Sequence, residues 1–176
     1  MAESKAPAPT GEVAPIVVAT AGAYERLRIL TTYKTIAMVG LSSDPMRPSH
    51  FAAIYMLAEG YDVIPVNPRY AGQTILGQHV YASLDDIPPN RRVEIVDVFR
   101  KPLDVPPIAA QAIARGAKVL WLQLGVVNSE VARNARDAGL EVVMDRCVKI
   151  EHARFFGGLN LVGMNTGVIT SRRHID

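Results

Sequence analysis

Short apolar runs, each closed by a glycine, proline or asparagine, alternate along this chain with stretches of helical periodicity. Strand, helix, strand, repeated with little variation, predicts an α/β domain of three layers. The runs are apolar on both faces, as strands of a parallel sheet are when helices cover both sides. A five-stranded, mostly parallel sheet wound in the right-handed sense is therefore expected, in the order 3-2-1-4-5, a Rossmann-like arrangement.

Residues 1–20 have little to bury and are expected as a mobile leader, ahead of a domain spanning 21–152. Tyr24, Leu27, Leu30 and Tyr33 recur at a spacing of three and predict a short helix packed over the sheet edge. Ile36, Ala37, Met38 and Val39 form the first strand, and residues 51–59 the helix after it, stopped at Gly60. Residues 61–66 (YDVIPV) form the second strand. The glycine- and proline-rich stretch 71–89 reads as a crossover with at most a helical turn near 83–87. Residues 93–99 (VEIVDVF) form the third strand, with Glu94 and Asp97 alternating among its apolar residues. A helix starting at 102–107 and stopping near Gly116 follows, then the fourth strand, 118–124. Ser129 is the expected N-cap of a helix to Asp137, and residues 141–144 are the fifth strand. Residues 153–176 form an extension in which Leu159, Leu161, Val168 and Thr170 flank Asn165-Thr166-Gly167 as in a hairpin. Its apolar residues need a surface, either on its own domain or on a second copy, which would make a homodimer.

Composition narrows the partners. Hydrophobic residues are 49%, charged residues 20% and the net charge +2, values of an ordinary globular protein. Basic residues are scattered apart from Arg91-Arg92 and Arg172-Arg173, so no nucleic acid is expected as partner. No apolar run approaches the ~18 residues of a membrane span. The single cysteine, Cys147, excludes an intramolecular disulfide, and a cytoplasmic location is expected.

The chemistry concentrates where the first strand ends. Gly40 lets the backbone turn, Leu41 follows, and Ser42 and Ser43 offer hydroxyls beside their N–H groups. Arg47 adds a charged donor, and Pro48-Ser49 lead into a helix whose amino end favours an anion. An ordinary strand-to-helix connection would read the same, since the full G-x-G-x-x-G fingerprint is absent. Ligands of such sheets sit beyond the carboxyl ends of the strands, so residues 40–47, 67–69, 99–102 and 125–128 should meet. They bring Arg47, Arg69, Arg100 and Lys101, with Asp44 as their carboxylate. That suits a long ligand with several phosphates. A nicotinamide dinucleotide is disfavoured because the second strand runs into Asn67-Pro68-Arg69, where NAD sites usually place an acid. Arg69 would instead pair with a ribose phosphate, which NADP and coenzyme A both carry.

In order, VGLSSDPMRPS, YDVIPVNPR, VDVFRKP, AKVLWLQLGVVN and VVMDRCVKIEH resemble the small coenzyme A-binding proteins of the YccU type. These in turn are similar to the amino-terminal domain of the succinyl-CoA synthetase alpha subunit. The resemblance implies that Gly40, Leu41, Ser42, Ser43 and Arg47 hold the coenzyme diphosphate, and that Asn67, Pro68 and Arg69 meet its adenosine phosphate end. It implies that Val98, Phe99 and Arg100 line the adenine pocket, where the synthetase has a proline-rich segment that this chain lacks. Gly125 and Val126 would lie along the pantetheine arm.

The synthetase works through a phosphorylated histidine in a further domain and through a partner subunit, neither of which this chain has room for. His50, His79, His152 and His174 have no carboxylate at a pairing distance in sequence, and no zinc-ligand spacing occurs. Cys147 is either small core filling or a thiol activated by Arg146 and Lys149. The expected function is thus a coenzyme A or acyl-CoA binding module, regulatory or carrier rather than catalytic. The alternatives are a small NADP-dependent reductase, and an interaction domain with an empty nucleotide site.

Overall fold

The computed structural model describes residues 20–157. The expected leader, apart from Thr20, and the expected hairpin lie outside the described residues. In chain order the elements are α1 (Ala23–Thr32), β1 (Thr35–Val39), α2 (Pro48–Ala58), β2 (Asp62–Val66), β3 (Thr74–Ile75), β4 (Gln78–His79), β5 (Ile95–Val98), α3 (Val105–Ala114), β6 (Val119–Leu122), α4 (Ser129–Asp137), β7 (Glu141–Val143) and α5 (Val148–Phe156).

The three-layer α/β fold is observed. Five parallel strands form the sheet, in the order β2-β1-β5-β6-β7. Alternate residues of each strand face opposite sides. Ala37, Val39, Val96 and Val98 pack with α3 and α4 on one face. Ile36, Met38, Val119 and Trp121 pack with α1, α2 and α5 on the other.

The strand order differs from 3-2-1-4-5 at one position. The run 93–99 pairs with β1 rather than outside β2, with Ala37 opposite Val96 and Val39 opposite Val98. The outer position beside β2 is taken by the crossover, which folds as the small β3-β4 hairpin and then touches β2 through one parallel bridge, Val66 to Tyr81. Tyr81 N–H donates to the Pro65 carbonyl at 3.0 Å, and Asn67 N–H to the Tyr81 carbonyl at 2.8 Å. An outer strand is thus present but reduced to one rung, too short to read as a strand in sequence.

Other departures have local causes. The buried residues of α1 are Arg26, Ile29 and Leu30, and Tyr24 is exposed. Arg26 is drawn inward by a buried ion pair with Glu151, Nε to Oε2 2.8 Å. The N-cap of α4 is Asn128, whose side chain accepts from Val131 N–H at 3.1 Å, one residue before the expected Ser129. Residues 83–87 form bends and turns, within the single turn at most that the sequence allows there. Helix α5 was not expected: its buried face carries Glu151 and His152 beside Val148, which hides the apolar periodicity.

Candidate functional site

All five parallel strands end at the same side, and a crevice of about 1000 Å³ runs along their carboxyl ends. Asn67, Pro68, Arg69 and Tyr70 follow β2, and Gly40 follows β1. Phe99 and Arg100 follow β5, Gln123, Leu124 and Val126 follow β6, and Cys147 follows β7. Four spacings of ~4.8 Å between neighbouring strands put roughly 19 Å between the extremes. Only an elongated ligand engages both ends.

Gly40 has φ +91°, and a Cβ built there would lie 2.6 Å from the Phe99 carbonyl oxygen. The turn after β1 and the turn after β5 therefore touch main chain to main chain, and only glycine permits it. Beyond Gly40 the loop is tied by its own oxygens. Ser42 N–H donates to Ser49 Oγ at 3.1 Å, Asp44 N–H to Ser42 Oγ at 3.1 Å, and Met46 N–H to Asp44 Oδ1 at 2.9 Å. Asn67 Nδ2 donates to the Leu41 carbonyl at 2.9 Å while its Oδ1 accepts from Arg69 N–H at 3.1 Å, so one buried side chain joins the two segments. Helix α2 begins at Pro48 without a side-chain cap, leaving its amino end open toward the crevice.

The cations are weakly committed. Arg47 Nε lies 3.6 Å from Asp44 and Arg100 Nη2 3.2 Å from Asp104, both exposed pairs. Arg69 is exposed and stands 5.7 Å over the Tyr70 ring, with no carboxylate partner among the described residues. Hydrogen bonds with Ser43, then Ser42, hold the Tyr70 phenol below its ordinary range. Tyr70 thereby links the second segment to the first turn.

Of the residues expected at a site, Gly40, Ser42, Arg47, Asn67, Pro68, Arg69, Phe99, Arg100 and Val126 line one crevice. Leu41 and Val98 point into opposite faces of the core. Ser43 reaches Tyr70 instead, and Gly125 donates its N–H to Asp145 Oδ1 at 2.8 Å, away from the lining. Tyr70, Gln123, Leu124 and Ile150 line the crevice without having been singled out in the sequence. Ile150 is there because α5 brings it, and nothing in the linear pattern announced that helix.

Beneath the crevice lies Asp97, fully buried on β5. Its Oδ1 accepts from Gln123 Nε2 at 2.6 Å, and its Oδ2 has no partner. Burial pushes its carboxyl up to about 8, against the opposing pull of the Gln123 hydrogen bond, so it is protonated at neutral pH. Burial also pushes the Cys147 thiol up. This corrects the activated-thiol alternative: Lys149 pulls downward but is outweighed, and Arg146 contributes no shift. His50 Nδ1 lies 2.9 Å from the Ser42 carbonyl, and His152 Nδ1 3.0 Å from the Tyr55 hydroxyl, so both are tied to structure. His79 is exposed on β4, and His174 lies outside the described residues. Among the described residues no helix is long and apolar enough to cross a membrane, and no group of three or more His, Cys, Asp or Glu could hold a metal.

Known proteins are similar to this chain in sequence and fold. A family model described as CoA binding domain matches residues 34–153. The chain is 39% identical over 125 residues to the uncharacterized protein YneT of Bacillus subtilis, covering 71% of this chain and 90% of that one. Among solved structures, a hypothetical protein from Pyrococcus horikoshii is similar with a TM-score of 0.71 and 42% identity, over 76% of this chain and 92% of that one. A protein from Thermus thermophilus is similar with a TM-score of 0.73 and 38% identity, over 77% of this chain and all of the other. A dinucleotide-forming acetyl-coenzyme A synthetase from Ca. Korarchaeum cryptofilum, at 21% identity and a TM-score of 0.58, covers 68% of this chain and 28% of that one and shares the fold.

Proposed function

The chain belongs to the CoA binding domain family, and from that premise we propose that it binds coenzyme A or an acyl-CoA in the crevice along the strand ends, holding the coenzyme for use elsewhere rather than transforming it. The observation that carries this reading is the extent of the crevice. It joins a cation-rich end at Arg69, Arg47 and the open amino end of α2 to a less charged end at Leu124, Val126 and Ile150. Coenzyme A has the same polarity, with phosphates at one end and an uncharged pantetheine arm at the other. In this reading Ser42, Arg47 and the α2 amino end take the diphosphate, and Asn67, Pro68 and Arg69 the ribose phosphate. Gly40, Phe99 and Arg100 flank the adenosine, and Val126 the pantetheine. Ser43 and Tyr70 support the turn, while Leu41, Val98 and Gly125 act through backbone placement. The raised thiol of Cys147 favours holding, because a thiolate beside a thioester would attack it.

Thermal shift of the full chain with CoA, acetyl-CoA, NADP and NAD tests the reading. At a hundred times Kd a ligand adds ~2.7 kcal/mol of stability. CoA or acetyl-CoA should raise Tm and NAD should not. A rise with NADP alone would favour the reductase reading and refute this one.

A further inference from the structure

The crevice does not end at Cys147. Leu124, Cys147 and Ile150 form its last wall, and the same three side chains form one side of a second cavity of about 120 Å³. At ~15 Å³ for each water position, that is room for roughly eight, the scale of a short acyl chain.

The rest of the small cavity is charged and carries surplus donors. Arg26, Arg146 and Arg154 face it together with Asp145 and Glu151. Glu151 is buried, its Oε2 accepting from Arg26 Nε at 2.8 Å and its Oε1 from Arg154 Nη1 at 3.2 Å. Arg26 Nη1 also donates to the Ala21 carbonyl, and Arg146 Nη1 donates to the Asp145 carbonyl at 2.8 Å. Asp145 Oδ1 is already engaged by Gly125 N–H. Each guanidinium has five N–H donors. Arg26, whose side chain is 9% exposed, spends Nε on Glu151 and Nη1 on the Ala21 carbonyl. Three guanidiniums against two carboxylates leave one positive charge, and Arg146 and Arg154, both partly exposed, keep further N–H donors at the cavity.

We propose that this cavity receives the acyl group of a bound CoA thioester, and that the acyl group ends in a carboxylate. This rests on the CoA reading above, with the thiol end lying at Leu124 and Cys147. A carboxylate fits better than a phosphate because the net charge to be matched is one. An uncharged acyl chain would displace water from the Arg146 and Arg154 donors without replacing its hydrogen bonds. A carboxylate accepts from two of them in the bidentate geometry guanidinium favours.

Calorimetry on the full chain tests this with two hydrolysis-proof thioethers, S-(3-carboxypropyl)-CoA and S-butyl-CoA, with CoA itself and with free butyrate. The carboxypropyl compound should bind at least about tenfold more tightly than the butyl compound, a difference of about 1.4 kcal/mol. Arg146→Gln and Arg154→Gln, checked for folding by circular dichroism, should each pull that ratio toward one while leaving CoA affinity unchanged. Equal affinity of the two thioethers, with CoA still bound, overturns this inference and leaves the CoA reading standing. Loss of binding by CoA and both thioethers overturns both. A preference that survives in both variants, or free butyrate binding as tightly as the acyl analogue, places the anion elsewhere and also overturns it.

Discussion

At the amino ends of the strands Arg115 donates to the carbonyls of Leu84, Ile87, Pro88 and Arg91, and Arg91 pairs with Asp62 at 2.8 Å. At the carboxyl ends Arg47 and Arg100 have only loose, exposed pairs and Arg69 has none among the described residues. The acids flanking β5 divide the same way. Glu94, just before it, accepts from the Lys34 and Thr35 N–H groups at 2.9 and 3.1 Å, whereas Asp97 within it keeps one oxygen unpartnered. Both ends also contain a cavity, the amino-end one about 530 Å³. Charge and concavity therefore do not separate the proposed binding end from the other. What separates them is whether the donors are already spent.

The sharpest way to break the comparison is at Gly40. Gly40→Ala forces a Cβ into the Phe99 carbonyl at a backbone angle that side chains avoid. It should cost more than about 2 kcal/mol in chemical denaturation and abolish any CoA-dependent shift. Next is Asp97. Its folded-state pKa, raised by burial to about 8, makes stability full below about pH 4, falling as pH rises and flat above about 8. Asp97→Asn should flatten that slope, read as Tm from pH 4 to 9; an unchanged slope would mean the carboxyl titrates normally. Third comes Arg115→Ala, which strips four carbonyls of their donor and should destabilise by about 1–3 kcal/mol without altering the CoA shift. The smallest stability effect belongs to Arg47→Ala and Arg69→Ala, within about 0.5 kcal/mol. Each should nonetheless shrink the CoA-induced rise in Tm. If Arg115→Ala weakens binding and the other two do not, the assignment of the two ends is inverted.

The strands were legible because a buried parallel strand has little choice but an apolar run, and each of the first two ends at a residue that turns the chain, Gly40 or Asn67. Their order was less so. The rung at Tyr81 has no run of its own, and the third visible run was therefore assigned the place that residues 71–81 occupy. The glycine turn after β1 was legible for the same local reasons as the strand it ends. The far end of the crevice was not, because Gln123 reads as the tail of a strand and α5 hides its inward face behind Glu151 and His152. Leu41 and Val98 adjoin the turns at the crevice, but strand alternation and loop path send their side chains into the core.

The rung at Tyr81 does more than mark a shortened edge. Its carbonyl grips the amide of Asn67, the residue that in turn grips the loop after β1. An edge strand can thus be trimmed to a single pair of bonds and still serve as the mooring of the neighbouring loop. In redesign, the exposed positions of the hairpin, such as Thr74 and His79, are the part to exchange, while Ile75 in the core and the two bonds at Tyr81 are the part to keep.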